Sequence, residues 1–137
     1  MSSRTWFVCN ILALFPIALI AVPHAAGQVP KLRPKVVALE KSNAGIVPIL
    51  AGPPETVSMK SGFVVLAPGH SVGKHSTLNH EEILIVLEGQ GEMLFQDGAH
   101  LRLKAHTALY CPPQTEHDVK NTGSTMLRYV YVVADAR

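Results

Sequence analysis

Cysteine is scarce in this chain of 137 residues. Of its two cysteines, Cys9 lies in an N-terminal apolar run, which leaves Cys111 alone in the remainder. A single thiol cannot close an internal disulfide, so stability has to come from a packed core. A domain of about 110 residues buries enough surface to manage that unaided. Aromatic residues are also few, and the single tryptophan is Trp6. A stacking platform for sugars is therefore poorly supported. Neither charge sign dominates: the 12 Lys and Arg, less Arg4, leave eleven beyond the apolar run against ten Asp and Glu. With no basic cluster, a nucleic-acid partner is not expected. A phosphate-cradling glycine loop, a nucleophile–base pair and the three-and-four spacing of a long amphipathic helix are missing as well.

Arg4 precedes an apolar run from Trp6 to Val22, and the small residues Ala25-Ala26-Gly27 follow. A basic start, a short apolar core and a small-residue exit describe a secretory signal peptide. Residues 1–27 are accordingly expected to be removed, leaving 28–137 as a single domain in the periplasm or secreted. The alternative is an uncleaved membrane anchor, because the run approaches the roughly 20 residues that span a bilayer. No later stretch is long enough to span, so once the signal is removed no membrane association is expected.

Short apolar runs and turn residues alternate through the rest. Residues 28–45 read as an exposed leader, with an edge strand at Val36-Val37-Ala38-Leu39. Ile46 to Leu50 is apolar and ends at Gly52-Pro53-Pro54. Glu55 to Leu66 reads as a strand bent or bulged at Gly62. Ile83-Leu84-Ile85-Val86-Leu87 reads as a buried strand, with Gly89 and Gly91 punctuating a turn that needs positive φ. Asp97-Gly98, between Glu92–Phe95 and Leu101–Leu103, signals a hairpin. Thr107 to Cys111 is stopped by Pro112-Pro113. After a turn at Asn121-Thr122-Gly123, Met126 to Val133 is apolar on both parities except at Arg128. Short, evenly spaced strands predict an all-β fold, a small antiparallel barrel or two-sheet sandwich.

The stretch from Gly69 to Gly91 concentrates the chemistry. Gly69 is followed by HSVGK, then His75-Ser76-Thr77, then LNHE, Glu82, ILIVLE and Gly89. Further on come Pro112, Pro113, Gln114, Thr115-Glu116, His117, Asp118-Val119-Lys120 and Asn121. Both spacings resemble the paired motifs of a small single-domain cupin of the cupin_2 type. Three departures stand out: Thr77 replaces the second histidine of the first motif, Gln114 replaces a glycine, and His106 stands where the second motif opens with glycine. The resemblance implies a jelly-roll, or double-stranded β-helix, barrel. It also implies His75, Glu82 and His117 as donors to a divalent metal.

Two imidazoles and one carboxylate suit non-haem iron or zinc, with manganese a further candidate; the residues do not choose the metal. His80 shares parity with Glu82 and is a candidate fourth ligand in place of Thr77. Cupin relatives include dioxygenases, isomerases and decarboxylases, which implies a metal-dependent enzyme on a small organic substrate, with Glu81 or His80 as proton acceptor. Two other readings stand beside it: a non-catalytic module for a small ligand or metal, and a structural dimer with a filled barrel. A homodimer is expected in each case, buried through Met126–Val133 or Val36–Leu39, because the last strand is apolar on both faces. Cys111 reads as a small buried hydrophobe, and Asn121 as a turn-closing residue.

Overall fold

The computed structural model describes residues 32–39 and 45–136; the expected signal segment lies outside them. Eight strands follow in order: β1 Gly45–Ala51, β2 Lys60–Leu66, β3 His80–Glu88, β4 Gln90–Phe95, β5 His100–Lys104, β6 Ala108–Cys111, β7 His117–Lys120 and β8 Leu127–Asp135. They form two antiparallel sheets, one ordered β1-β2-β8-β3-β6 and the other β5-β4-β7. The described residues include no helix. The sheets face one another without closing into a continuous ladder, as an open jelly-roll sandwich.

Turn chemistry explains most boundaries. Asp97 accepts the Ala99 N–H at 2.9 Å inside the β4–β5 hairpin, as the Asp-Gly signal predicts. Pro112-Pro113 ends β6. Gly89 does take positive φ (+81°), but Gly91 does not. Gly91 is there for close approach: a Cβ on it would lie 2.4 Å from the Lys120 carbonyl oxygen on the neighbouring strand. Asn121 is fully buried and donates to the carbonyls of Leu66 and Thr125, both at 2.8 Å. It also accepts the Gly123 N–H at 2.9 Å, closing the turn as expected.

Four expectations are corrected. The strand expected from Glu55 begins only at Lys60, because the Gly52 carbonyl accepts the N–H groups of Glu55 and Thr56 and curls the chain there. The bulge lies across from Gly62, on β1: Pro48 pairs with Gly62 and Leu50 with Ser61, leaving Ile49 as the extra residue. Val36 to Leu39 joins no ladder, and Val36 stands 99% exposed. β3 is buried on one face only. Glu82, Leu84 and Val86 point inward, while Ile83, Ile85 and Leu87 are 38–42% exposed on the outer face.

The core lies between the sheets. Val64, Leu66, Leu84, Val86, Leu109, Leu127 and Tyr129 from the larger sheet meet Met93, Leu103 and Val119 from the smaller. Burying each such aliphatic side chain stabilises by about 1.5–3 kcal/mol. This packing fills one end of the sandwich and leaves a cavity toward the other.

Candidate metal centre

Three elements deliver the polar residues of that cavity. β3 carries Glu82 on its inward face, between Val133 of β8 and Cys111 of β6. β7 opens with His117, which pairs with Phe95 of β4. On the other side of β7, residues 71–75 run alongside as a partial strand, bridged at Ser71–Lys120 and His75–His117. His75 and His117 exchange both backbone hydrogen bonds, at 3.0 and 2.9 Å. A directly opposed pair of this kind points both side chains to the same face. The two rings accordingly lie with centroids 4.5 Å apart.

One donor atom from each of His75, Glu82 and His117 lies within 4.8 Å of the others. Each imidazole is oriented through its Nδ1, which is 2.9 Å from the Gly73 carbonyl for His75 and 3.0 Å from the Thr115 carbonyl for His117. A carbonyl only accepts, so Nδ1 carries a proton, and in the neutral ring Nε2 presents its lone pair. His117 Nε2 lies 3.1 Å from Glu82 Oε2. Yet neither atom makes an aligned hydrogen bond to any partner, and both are buried. Leaving such groups unsatisfied costs about 1–3 kcal/mol each, and more for a charged group. Two orphaned donors facing one point, with a third beside them, fit a divalent cation.

Neighbouring groups respond to the same charge. Burial lowers the His117 pKa, but the nearby Glu82 carboxylate and the Thr115 carbonyl outweigh it, and the net shift is upward. Burial, followed by the Glu82 charge, raises the Cys111 thiol to about 11. Cys111 Sγ, 3.4 Å from His117 Nδ1, is thus an inert thiol packed behind that imidazole. Burial first, and Glu82 second, also raise the pKa values of Tyr129 and Tyr131.

The cavity measures about 290 Å³ and is lined by the three donors, Thr77, Tyr129, Tyr131 and aliphatic residues including Val64 and Val133. A space this size does not fit a barrel filled by its own side chains. His80 does not line it; its Nδ1 is 3.0 Å from the Thr77 carbonyl and it faces an adjacent cavity. His80 as fourth ligand is therefore corrected: parity put it on the right face, but one step too near the rim. Glu81 points to the opposite face, where it accepts the Tyr110 hydroxyl at 3.1 Å. It cannot act as a proton acceptor in the cavity. Tyr129 and Tyr131 are the site residues that sequence reasoning missed.

Among known families, the model described as the Cupin domain matches residues 62–133. The chain belongs to the cupin family. This cupin is 32% identical over 68 residues to the oxalate-binding protein of Thermotoga maritima, an overlap of 50% of this chain and 55% of that one. It thus spans about half the length of the curated relative it matches. Among solved structures, a Cupin 2 conserved barrel domain protein from Salinispora arenicola is 27% identical, with a TM-score of 0.59 over 78% of this cupin and 90% of that chain. A Bacillus halodurans protein reaches a TM-score of 0.65 at 23% identity over 77% and 83%, a likeness of fold alone. Two departures from the cupin motifs now have a backbone meaning. His106 and Gln114, standing where the motifs have glycine, hold φ of +64° and +57°. Both positions are left-handed although neither residue is glycine.

Proposed function

We propose that this cupin holds one divalent metal ion on His75, Glu82 and His117 and uses it to bind a small oxygen-donor molecule. One observation carries the reading: Glu82 Oε2 and His117 Nε2 are buried, face each other at 3.1 Å and lack an aligned hydrogen bond. Nitrogen and carboxylate donors with open positions suit iron, manganese or zinc. The relative named for oxalate binding supports a small carboxylate as the ligand. A cavity of about 290 Å³ suits a molecule of that size. The apolar remainder of the lining would exclude water around it.

Binding is preferred to catalysis because Glu81 faces the outer surface and His80 lies in the adjoining cavity with its Nδ1 against the Thr77 carbonyl, away from the three donors. When bound, the metal would supply Lewis-acid contact to the ligand's oxygens; the chain's own residues position it and shape the cavity.

Elemental analysis of protein purified without chelators and supplied with iron, manganese and zinc tests the reading. Near-stoichiometric metal is expected. Each alanine substitution at His75, Glu82 or His117 should remove most of it, with double substitutions adding little, since the three act as a unit. A metal content near zero in the unsubstituted protein would end the proposal.

A further inference from the structure

Beside the metal cavity lies a second one, lined by Lys60, Ser76, Thr77, His80, Tyr131 and Val133, with Leu78 at its side. Thr77, Tyr131 and Val133 line both. The two spaces are thus neighbours sharing one wall. Sheet register fixes their relation. Lys60 of β2 pairs with Val133 of β8, and Val133 pairs in turn with Glu82 of β3. Lys60 and Glu82 therefore occupy one row across the sheet, two strand spacings or roughly 10 Å apart.

The wall depends on a missing side chain. A Cβ on Gly62 would lie 2.6 Å from Tyr131 Cε1 and 2.9 Å from its hydroxyl oxygen. Only glycine on β2 lets the Tyr131 ring lie against the strand and divide the space without filling it. Charge is also one-sided. Lys60 lines the second cavity, no Asp or Glu does, and no described residue forms an ion pair with Lys60.

We propose that the two cavities form one elongated site for a small dicarboxylate longer than oxalate. One carboxylate sits at the His75–Glu82–His117 end, and the Lys60 ammonium holds the other across Tyr131. The inference rests on the metal reading above and extends it to a substrate class. A divalent ion, the Glu82 carboxylate and the Lys60 ammonium together leave two positive charges, which a dianion neutralises. In oxalate the two carboxylates are adjacent, so both would stay at the metal end. A flexible four-carbon stem lets the lysine adjust to ligand length.

Calorimetric titration of the manganese-loaded full chain with glutarate, butyrate and oxalate tests this, after elemental analysis of each protein. Glutarate should bind about tenfold or more tighter than butyrate, the scale of one charge-assisted hydrogen bond. Lys60→Met keeps most of the stem that lies over Gly52. It should retain its manganese, bring glutarate down to the butyrate level and leave butyrate and oxalate within about twofold. Equal affinities for glutarate and butyrate, unchanged glutarate binding in Lys60→Met, or no glutarate binding by metal-loaded protein would each overturn the elongated site. Failure to load manganese, iron or zinc would overturn the parent reading, and this one with it.

Discussion

Thr77 is where this cupin differs most from its motif, and its geometry shows what the substitution does. It lines the cavity with the three donors, while its hydroxyl donates to the His80 carbonyl at 2.8 Å. That bond fastens the loop ahead of β3, which gives the hydroxyl a structural role. Thr77→His should tighten metal binding by about tenfold or more, because an imidazole would enter a cavity that already has three donors; competition against a chelating dye measures it. Proton competition gives a second expectation. An imidazole must be neutral to coordinate, and the His117 pKa is raised. Apparent metal affinity should therefore be greatest at alkaline pH and begin to fall, as pH drops, above the ordinary histidine value of about 6.5. A metal dissociation constant that stays flat with pH until well below that value would contradict it. That His75, Glu82 and His117 come together was legible from the resemblance of their spacing to the cupin motifs. Tyr129 and Tyr131 were not, because β8 is apolar on both parities and the sequence offers no cue to which face looks inward.

At the scale of strands and turns, most strands were legible as apolar runs, but Val36–Leu39 joins no ladder, β7 has no apolar run to announce it, and the pairing lay beyond local reasoning. The aliphatic run of β3 looked buried on both faces because Ile83, Ile85 and Leu87 are as apolar as the inward residues. The bulge was legible in kind and assigned to the wrong strand, since Gly62 marks the partner of the bulged residue. Likewise, the bridge between His75 and His117 joins residues far apart in sequence, and no local pattern foretells it. The turns at His106 and Gln114 have a measurable cost. A non-glycine residue in the left-handed region is disfavoured by about 1–2 kcal/mol, partly offset by the greater chain entropy that glycine loses on folding. Gln114→Gly and His106→Gly should therefore each stabilise the fold by about 0.5–1 kcal/mol, read from denaturant midpoints. An unchanged or lower midpoint would show that side-chain contacts, such as Gln114 Nε2 to Asn79 Oδ1 at 3.4 Å, matter more than backbone strain.

For the molecule as a whole, the outer face of the five-stranded sheet is the conspicuous surface. Ile83, Ile85, Leu87 and Tyr110 are exposed on it, and Val130 and Val132 of β8 lie in register with Ile85 and Ile83. The backbone of β8 is paired on both sides, so a partner can meet only its face. We propose a homodimer through this face in an exported protein that has lost residues 1–27. Light scattering with intact-mass measurement examines both parts. The expected result is a dimer of chains that begin near Gln28, which Ile85→Lys shifts to monomer. A monomer across the micromolar range would remove the dimer, and a mass running from Met1 would remove the cleavage.

The opposed pair of histidines carries a further consequence for time rather than affinity. The same two residues that offer their rings to the metal lock their amides to each other, at 2.9 and 3.0 Å. An ion bound to both rings would clamp the partial strand 71–75 onto β7, and the strand could peel away only when the ion left. Amide hydrogen exchange at His75 and His117 should then slow markedly on metal addition, while the β4–β5 hairpin keeps its rate. At a pH high enough for exchange to outpace reclosing, the backbone itself would serve as a clock for occupancy, ticking at the rate of metal release.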